Sequence, residues 1–489
     1  MSVAAEVVNT ARVAGVDVPT DHYIGGAWVA SAERFETRSP IDQALLAEVS
    51  RADAADVDRA VRAAHDAFPA WASLGPAGRA EHLHRLADLV DAHREELAAV
   101  ECADMAMLLR SLRARVIARG ALNFRNYADL AVAYEERDWR SRGTWNRVQR
   151  MPSGPAAVIT PWNAPFMLST WKISPALAAG CTVVLKPAEW SPLSAALLAQ
   201  LAGEAGLPAG VLNVVQGIGE EAGAALVAHP LIRRVSFTGS TETAKHIGTA
   251  AAQNVVPFTA ELGGKNPFLV FEDADLDAAA RKAAGQYDDS GQVCLSGTRL
   301  LVHESVRDAF LERFHAAVEE HVLGDPRDEA TTISPMIHPD HVARVEGFVT
   351  RAREDGQRIV LGGERRDGLF FAPTLIEPTS NDAEIVQQEV FGPVLTLQTF
   401  ADEEEAIALA NSTDYGLAAI VYTSSLGRAD RVGRAVRGGT VWVNTFLVRD
   451  LTAPFGGMGR SGIGREGGDY ALDFYSDLKT LQILEGSVG

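Results

Sequence analysis

Only three cysteines, Cys102, Cys181 and Cys294, occur in 489 residues, and no two form a CxxC pair. That absence argues against a disulfide framework and a thiolate zinc site, and it suits a reducing cytoplasm. No stretch of about 18 apolar residues runs without a charge, so no membrane span is expected. The opening MSVAAEVVNTARVAGVDV has no basic region followed by an uninterrupted apolar segment, so no signal peptide is expected either. Positive charge is in deficit: 45 Lys plus Arg face 64 Asp plus Glu, a net charge of −19. With a pI near 5.1, this argues against a binder of phosphate backbones, so nucleic acid is not an expected partner. Low-complexity tracts and internal repeats are also lacking. What is present is ordinary globular usage, 47% hydrophobic and 22% charged, in a chain long enough for two to four domains or one large α/β body.

The first twenty or so residues read as a loosely held leader, and Tyr23 to Val29 as a short hairpin entering the folded body. Val57, Val61, Ala64 and Phe68, then Leu83, Leu86, Val90 and Leu97, recur at helical spacing. This predicts amphipathic helices over 54–70 and 77–100. A third helix, from about Ser111 to Glu136, carries several arginines among its apolar positions. From Pro155 the pattern changes to short β-rich runs, at 156–159, 182–185, 211–215 and 234–237, alternating with Ala-rich helical stretches. Continuous apolar strands separated by helices signal a parallel sheet covered on both faces, so 155–262 reads as a doubly wound, Rossmann-like unit. A second α/β series follows from Pro267 to about Val443. The tail reads as a helix turn from Gly468 followed by a strand over Lys479–Leu484, a candidate edge-pairing or subunit-contact segment.

Five clusters stand out: Pro161-Trp162-Asn163, Lys186-Pro187-Ala188-Glu189, Phe237-Thr238-Gly239-Ser240, Glu261-Leu262-Gly263-Gly264-Lys265 and Gly291-Gln292-Val293-Cys294. Glu389-Val390-Phe391-Gly392-Pro393, Asn444-Thr445 and Pro454-Phe455-Gly456-Gly457 continue the series. Together, and in this order over nearly the whole chain, they resemble the NAD(P)-dependent aldehyde dehydrogenase superfamily. The resemblance implies a Rossmann-like NAD-binding domain (1–137 and 153–262), a second α/β catalytic domain (263–455) and small β oligomerisation segments (138–152 and 468–489). It also implies a homodimer or homotetramer, and it calls for no metal.

A free cysteine taken alone is as a rule an inert, buried small hydrophobe, and that reading stands for Cys102 and Cys181. Cys294, in a Gly-containing turn, is by resemblance the nucleophile. A thiolate suits an aldehyde because it adds to the carbonyl and later leaves, splitting the oxidation into hydride loss and thioester hydrolysis. Glu261 matches the general base that activates the deacylating water, although an isolated Glu is more often a solvated charge. Asn163 is the candidate oxyanion donor, with the Cys294 backbone N–H as the second; the plain reading is an Asn capping the turn between Pro161 and Pro165.

Lys186 and Glu189 follow a predicted parallel strand, where nucleotides bind in such folds, and resemble the residues that meet the adenosine ribose. A carboxylate there repels a 2′-phosphate, so NAD is expected over NADP. Gly239 and Ser240 open a helix able to meet pyrophosphate. Ala244 stands where the family commonly has glycine. Trp162, Glu389 and Phe391 resemble residues around the nicotinamide ribose and ring. In isolation Glu389 and Phe391 would be a surface charge and a core aromatic.

Asp288 and Asp289 depart from the family pattern just ahead of the nucleophile, and acidic groups beside a thiol would raise its pKa unless they point elsewhere or are paired. Met105-Ala106-Met107 also departs from it, with no meaning that the sequence supplies. Asn444 to Leu451, Gly464 to Gly468, and Arg119 to Arg125 resemble the subgroup acting on 2-hydroxymuconate, 2-aminomuconate and 5-carboxymethyl-2-hydroxymuconate semialdehydes in aromatic catabolism. Arg119 and Arg449 would there grip a substrate carboxylate, since a guanidinium fork pairs bidentately with it. Otherwise Arg449 pairs with Asp450, and Arg119 is one more charge on its helix. The expected activity is NAD-dependent oxidation of a carboxylate-bearing aldehyde. The alternatives are a broad-specificity enzyme, a CoA-acylating relative, and a noncatalytic protein on the same fold.

Overall fold

The computed structural model describes residues 8–486. The expected leader is largely structured: Thr10–Val13 pairs antiparallel with Val16–Pro19. The turn uses Ala14 and Gly15, both at positive φ (48° and 82°). The hairpin buries Val13 and Val18 against the main core, a gain that so short a segment concealed. Residues 1–7 of that expected leader lie outside the described residues. The hairpin expected over 23–29 forms from His22–Ile24 and Ala27–Val29.

A capping box at Asp53, whose carboxylate accepts the amides of Ala55 and Asp56, starts a helix over Ala54–Ser73. The single helix expected over 77–100 is two, Gly75–Ala92 and Arg94–Met105, broken at His93. Leu83, Leu86, Val90 and Leu97 are all buried. The apolar stripe therefore crosses the break on one face, and periodicity alone does not register it. The Arg-rich helix runs in three pieces from Leu109 to Ala133, with a π turn at Leu112–Val116, and stops short of Glu136 because Tyr134 is extended.

Five parallel strands form the heart of the first sheet: β1 (Pro155–Ile159), β2 (Thr182–Lys186), β3 (Leu212–Val214), β4 (Arg234–Thr238) and β5 (Phe258–Glu261). Their order is β3-β2-β1-β4-β5. The order reverses between β1 and β4, and that reversal opens a crevice at the carboxyl ends of the strands. The 22–29 hairpin extends the β3 edge, and Gly462–Ile463 pairs antiparallel with β5. A second sheet holds β6 (Pro267–Val270), β7 (Arg299–His303), β8 (Thr374–Glu377), β9 (Val394–Phe400), β10 (Ala418–Tyr422) and β11 (Thr440–Val443). These are parallel in the order β8-β9-β7-β6-β10-β11, with Arg358–Leu361 antiparallel at the β8 edge. Arg137–Ser141, Thr144–Pro152 and Ser476–Leu484 form a separate antiparallel sheet. Its C-terminal strand thus begins three residues before the expected Lys479. Among the described residues no helix is long and apolar enough to cross a membrane.

The chain passes from β5 to β6 through the short segment 262–266, and a buried arginine anchors it. Arg299 sends Nε to the Lys265 carbonyl (2.9 Å) and its terminal nitrogens to the carbonyls of Leu409 (2.7 Å) and Ala410 (2.6 Å). Three buried carbonyls depend on one guanidinium, and burial holds its pKa down at about 10 without discharging it at neutral pH. Arg299→Met is expected to destabilise the protein by roughly 3–5 kcal/mol, because those acceptors would lose their donors in a dry site. Urea unfolding would measure it, and an unchanged midpoint would contradict the anchoring role.

Candidate active site

Cys294 follows a turn that few sequences tolerate. Asp289, Ser290 and Gly291 all have positive φ (51°, 54° and 67°). A Cβ on Gly291 would lie 2.3 Å from the Gly392 carbonyl oxygen. The Asn266 amide secures the far side of the turn, donating to the carbonyls of Cys294 (2.8 Å) and Ser296 (3.0 Å). Asn266 Oδ1 accepts from the Ala418 amide (2.9 Å), so β10 holds Asn266 in turn. The Cys294 thiol is half-buried, whereas Cys102 and Cys181 are buried outright.

The turn from β1 into the helix Pro165–Ala179 carries Trp162 and Asn163. Asn163 does not cap that helix. Its Nδ2 donates instead to the Gln292 carbonyl (2.9 Å), two residues before the thiol. Trp162 meets the ring of Phe391 edge-on at 5.3 Å and that of His341 at 5.1 Å.

Glu261 ends β5, and its buried carboxyl has no hydrogen-bond partner on either oxygen. Burial, and then the charge of Glu466, push its pKa well up, while Lys172, Arg449 and Arg465 pull it back. Glycine at 456 makes room for it: a Cβ there would sit 2.8 Å from Oε1. Behind it lies an ion pair between the buried side chains of Lys172 and Glu466. Lys172 also donates to the Ser236 hydroxyl (3.1 Å), and Trp171 Nε1 to Glu466 (2.5 Å). Sequence reasoning assigned no role to Asn266, Lys172, Trp171 or Glu466. A lysine inside an otherwise apolar helix is the one signal that pointed to this cluster.

The thiol is pushed up to about 12, by burial first and then by Glu389 and Glu261, with Arg449 opposing. Asp288 and Asp289, whose effect the sequence leaves open, are not among the main charges acting on it. Their own neighbours are Lys282, Arg110 and Arg115, and burial lifts both to about 6.

The Lys186 ammonium lies 2.8 Å from Glu189 at the carboxyl end of β2, with the lysine buried and the carboxylate half-exposed. Gly239 follows β4, donates to the Glu261 carbonyl (3.1 Å), and could not carry a Cβ, which would stand 2.4 Å from the Phe237 ring. The Ser240 hydroxyl accepts from the Thr243 amide (3.1 Å) and so caps the helix Thr241–Gln253, into whose apolar side Ala244 packs. Glu389 accepts the Gly264 amide (2.9 Å), and burial raises it to about 7. Phe391, at φ 60°, is held through its carbonyl by His341 (2.8 Å). Arg344 grips the Glu389 carbonyl at 2.9 Å and that of Val390 as well.

Arg119 and Arg449 each stand 5.5 Å from the Trp171 ring centre, and Arg449 lies 3.6 Å from that of Phe455. Asp450 does not pair with Arg449; it accepts the amide and hydroxyl of Thr452, both at 2.8 Å. Arg119 donates to Asn123 (3.1 Å). Neither guanidinium is ion-paired with a carboxylate among the described residues. Burial, and then the charge of Arg449, push Arg119 down to about 10. Two like charges, partly stripped of water and side by side, make a place for an anion.

The family model described as "Aldehyde dehydrogenase family" matches residues 28–481. The chain is 42% identical to a 2-hydroxymuconic semialdehyde dehydrogenase of Pseudomonas sp. (strain CF600), covering 94% of this chain and 98% of that protein. It is 38% identical to a 2-aminomuconic semialdehyde dehydrogenase of Danio rerio, covering 95% and 98%. A crystal structure of an indole-3-acetaldehyde dehydrogenase complexed with NAD+ superposes with a TM-score of 0.94 at 40% identity, covering 96% of this chain and 97% of that one.

Arg449 is the cation that opposes the upward shift of the Cys294 thiol. Removing it raises that pKa further and leaves less thiolate at a given pH. Arg449→Met is therefore expected to slow alkylation of Cys294 by iodoacetamide at pH 8 by about three- to tenfold, the effect of half to one pKa unit. Mass spectrometry of the labelled peptide would read it, and an equal or faster rate would contradict the coupling.

Proposed function

Because the chain belongs to the aldehyde dehydrogenase family, we propose that it oxidises a carboxylate-bearing aldehyde, of the muconate-semialdehyde kind, to the corresponding acid with NAD. The observation that carries the choice of substrate is the pair of part-buried arginines against Trp171, neither ion-paired with a carboxylate among the described residues. Their charges lie within electrostatic reach of one another, and that of Arg449 also reaches Cys294. An aldehyde with a distal carboxylate would thus present its two ends to the thiol and to the arginines.

The residues fit a dinucleotide. Glu189 is free on one side to accept ribose hydroxyls beside Lys186, and its charge disfavours a 2′-phosphate. Gly239, whose own amide is taken by the Glu261 carbonyl, and Ser240 lead into a helix N-terminus whose first-turn amides would meet the pyrophosphate. Glu389, Phe391 and Trp162 would hold the nicotinamide ribose and ring. NAD, when bound, supplies the hydride acceptor.

The remaining steps belong to the chain. Cys294 Sγ adds to the aldehyde carbon as its proton leaves for solvent or for Glu261. Asn163 uses one amide hydrogen on Gln292 and so retains the other for the oxyanion, beside the Cys294 N–H. After hydride loss, the thioester carbon is attacked by a water whose proton passes to Glu261. That carboxyl is suited to accept it because burial and Glu466 raise its proton affinity. The thiol then leaves and the acid is free.

We assign residues 1–137 and 153–262 to NAD binding, 263–455 to catalysis, and 138–152 with 468–489 to subunit contacts in a homodimer or homotetramer. The exposed Trp139, Met151, Leu478 and Leu481 of the three-stranded sheet support the last of these. Free cysteines support a cytoplasmic setting.

Cys294→Ala is expected to abolish oxidation while NAD binding persists, and unchanged turnover would remove the assignment. Glu261→Gln should give one rapid burst of NADH and then a slow steady state; normal turnover without a burst would reassign the base. The substrate is tested by kcat/KM for matched aldehydes with and without a distal carboxylate. A preference on the order of 100-fold, lost in Arg449→Ala, is expected. No preference would leave a broad-specificity enzyme, and acid formation that requires CoA would indicate the acylating alternative.

A further inference from the structure

The helix Arg94–Met105 lies outside the site, yet it carries two fully buried carboxyl groups one turn apart, Glu101 and Asp104. Each accepts a first-turn amide from a different helix, and the Glu101 carboxyl also meets the Ser194 hydroxyl of the second. Glu101 Oε2 accepts the amide of Phe166 (3.1 Å), second residue of Pro165–Ala179. Asp104 Oδ2 accepts the amide of Leu193 (2.9 Å), first residue of Leu193–Glu204. Its other oxygen accepts the Thr37 hydroxyl (3.0 Å).

Neither receiving helix has a cap of its own. The residues before them, Ala164 and Pro192, offer no side-chain acceptor. A first-turn amide needs a partner, and a carboxylate at that end also meets the helix dipole favourably. Burying two acids is nevertheless expensive, as their upward shifts to about 8 and about 7 record. A local Ser or Asp would cap either helix at lower cost. What the distant caps add is position: each ties the start of a helix to the same rigid third helix.

The turns ahead of those two starts are the ones that matter. Trp162 and Asn163 immediately precede Pro165–Ala179, and Lys186 and Glu189 precede Leu193–Glu204. We propose that Glu101 and Asp104 are positioning residues: Glu101 sets the Asn163 amide over the thiol, and Asp104 sets the Lys186–Glu189 pair for the adenosine ribose. The proposal rests on the roles given to Asn163 and Glu189 above.

The test compares Glu101→Leu and Asp104→Leu in the full-length enzyme by three readouts: the rate of the NADH burst, NAD affinity by quenching of tryptophan fluorescence, and the thermal midpoint. Glu101→Leu is expected to slow the burst about tenfold with NAD affinity within twofold of wild type. Asp104→Leu is expected to weaken NAD about tenfold with the burst at saturating NAD within twofold. Glu101→Gln and Asp104→Asn should recover most of each loss. A Gln oxygen still accepts from Phe166, and an Asn can accept from Leu193 while donating to the Thr37 hydroxyl. If the leucine variants do not fold, Glu101→Asp and Asp104→Ser, which withdraw the acceptor, are read the same way.

Parallel loss of both functions with the thermal midpoint, or no loss in either, would overturn the proposal and leave two structural acids. Asn163→Ala and Glu189→Ala are run alongside. If those leave the burst and the NAD affinity unchanged, the assignment of the site itself falls, and the positioning roles fall with it. If they act as expected and the Glu101 and Asp104 variants do not separate, the positioning idea alone is lost.

Discussion

The site depends on the close approach that two glycines permit. A Cβ on Gly263 would stand 1.9 Å from a Glu389 oxygen, and one on Gly264 would stand 2.8 Å from the Cys294 carbonyl oxygen. Any other residue at either place would push the β5–β6 connection away from the nucleophile turn or from Glu389. Because nothing intervenes, the Gly264 amide meets Glu389 and Glu261 reaches the same crevice as the thiol. The backbone is the template here, and the charged side chains are arranged around it.

That closeness has an electrostatic consequence. Two desolvated carboxyls beside a half-buried thiol all resist ionisation, and both carboxyls raise the thiol. The protein offsets this with cations, of which Lys172 and Lys265 are buried: Lys172 and Arg449 act on Glu261, Lys265 and Arg344 act on Glu389, and Arg449 acts on Cys294. Arg449 therefore stands both in the field of the nucleophile and, with Arg119, in the proposed carboxylate pocket. In that proposal, substrate charge and thiol reactivity are linked through this one guanidinium.

Much of this was legible in the chain. Parallel strands such as Thr182–Lys186 are buried along their whole length, so they read as unbroken apolar runs. The resemblance pointed to Cys294, Asn163, Glu261, Glu389 and the two arginines, and the fold brings them to one crevice. The elements misread were those whose signal is not periodic. The break at His93 leaves the apolar stripe intact, and the hairpin over 10–19 is too short to alternate clearly. The sequence left open whether Asp288 and Asp289 bear on the thiol, because nearness in sequence says nothing of direction: the left-handed turn at Asp289 and Ser290 carries the chain round before Cys294.

By itself, the sequence determined the class of fold and, through its resemblance, the candidate nucleophile and the charged residues proposed around it, because apolar runs and short motifs are local properties of a chain. Only the tertiary structure decided that Asn163 bonds to Gln292 rather than capping its helix, and that Lys172 and Glu466 pair behind Glu261. It likewise decided that Glu101 and Asp104 cap helices far along the chain. Those contacts join residues distant in sequence, and each polar group finds its partner only where burial removes water as the alternative.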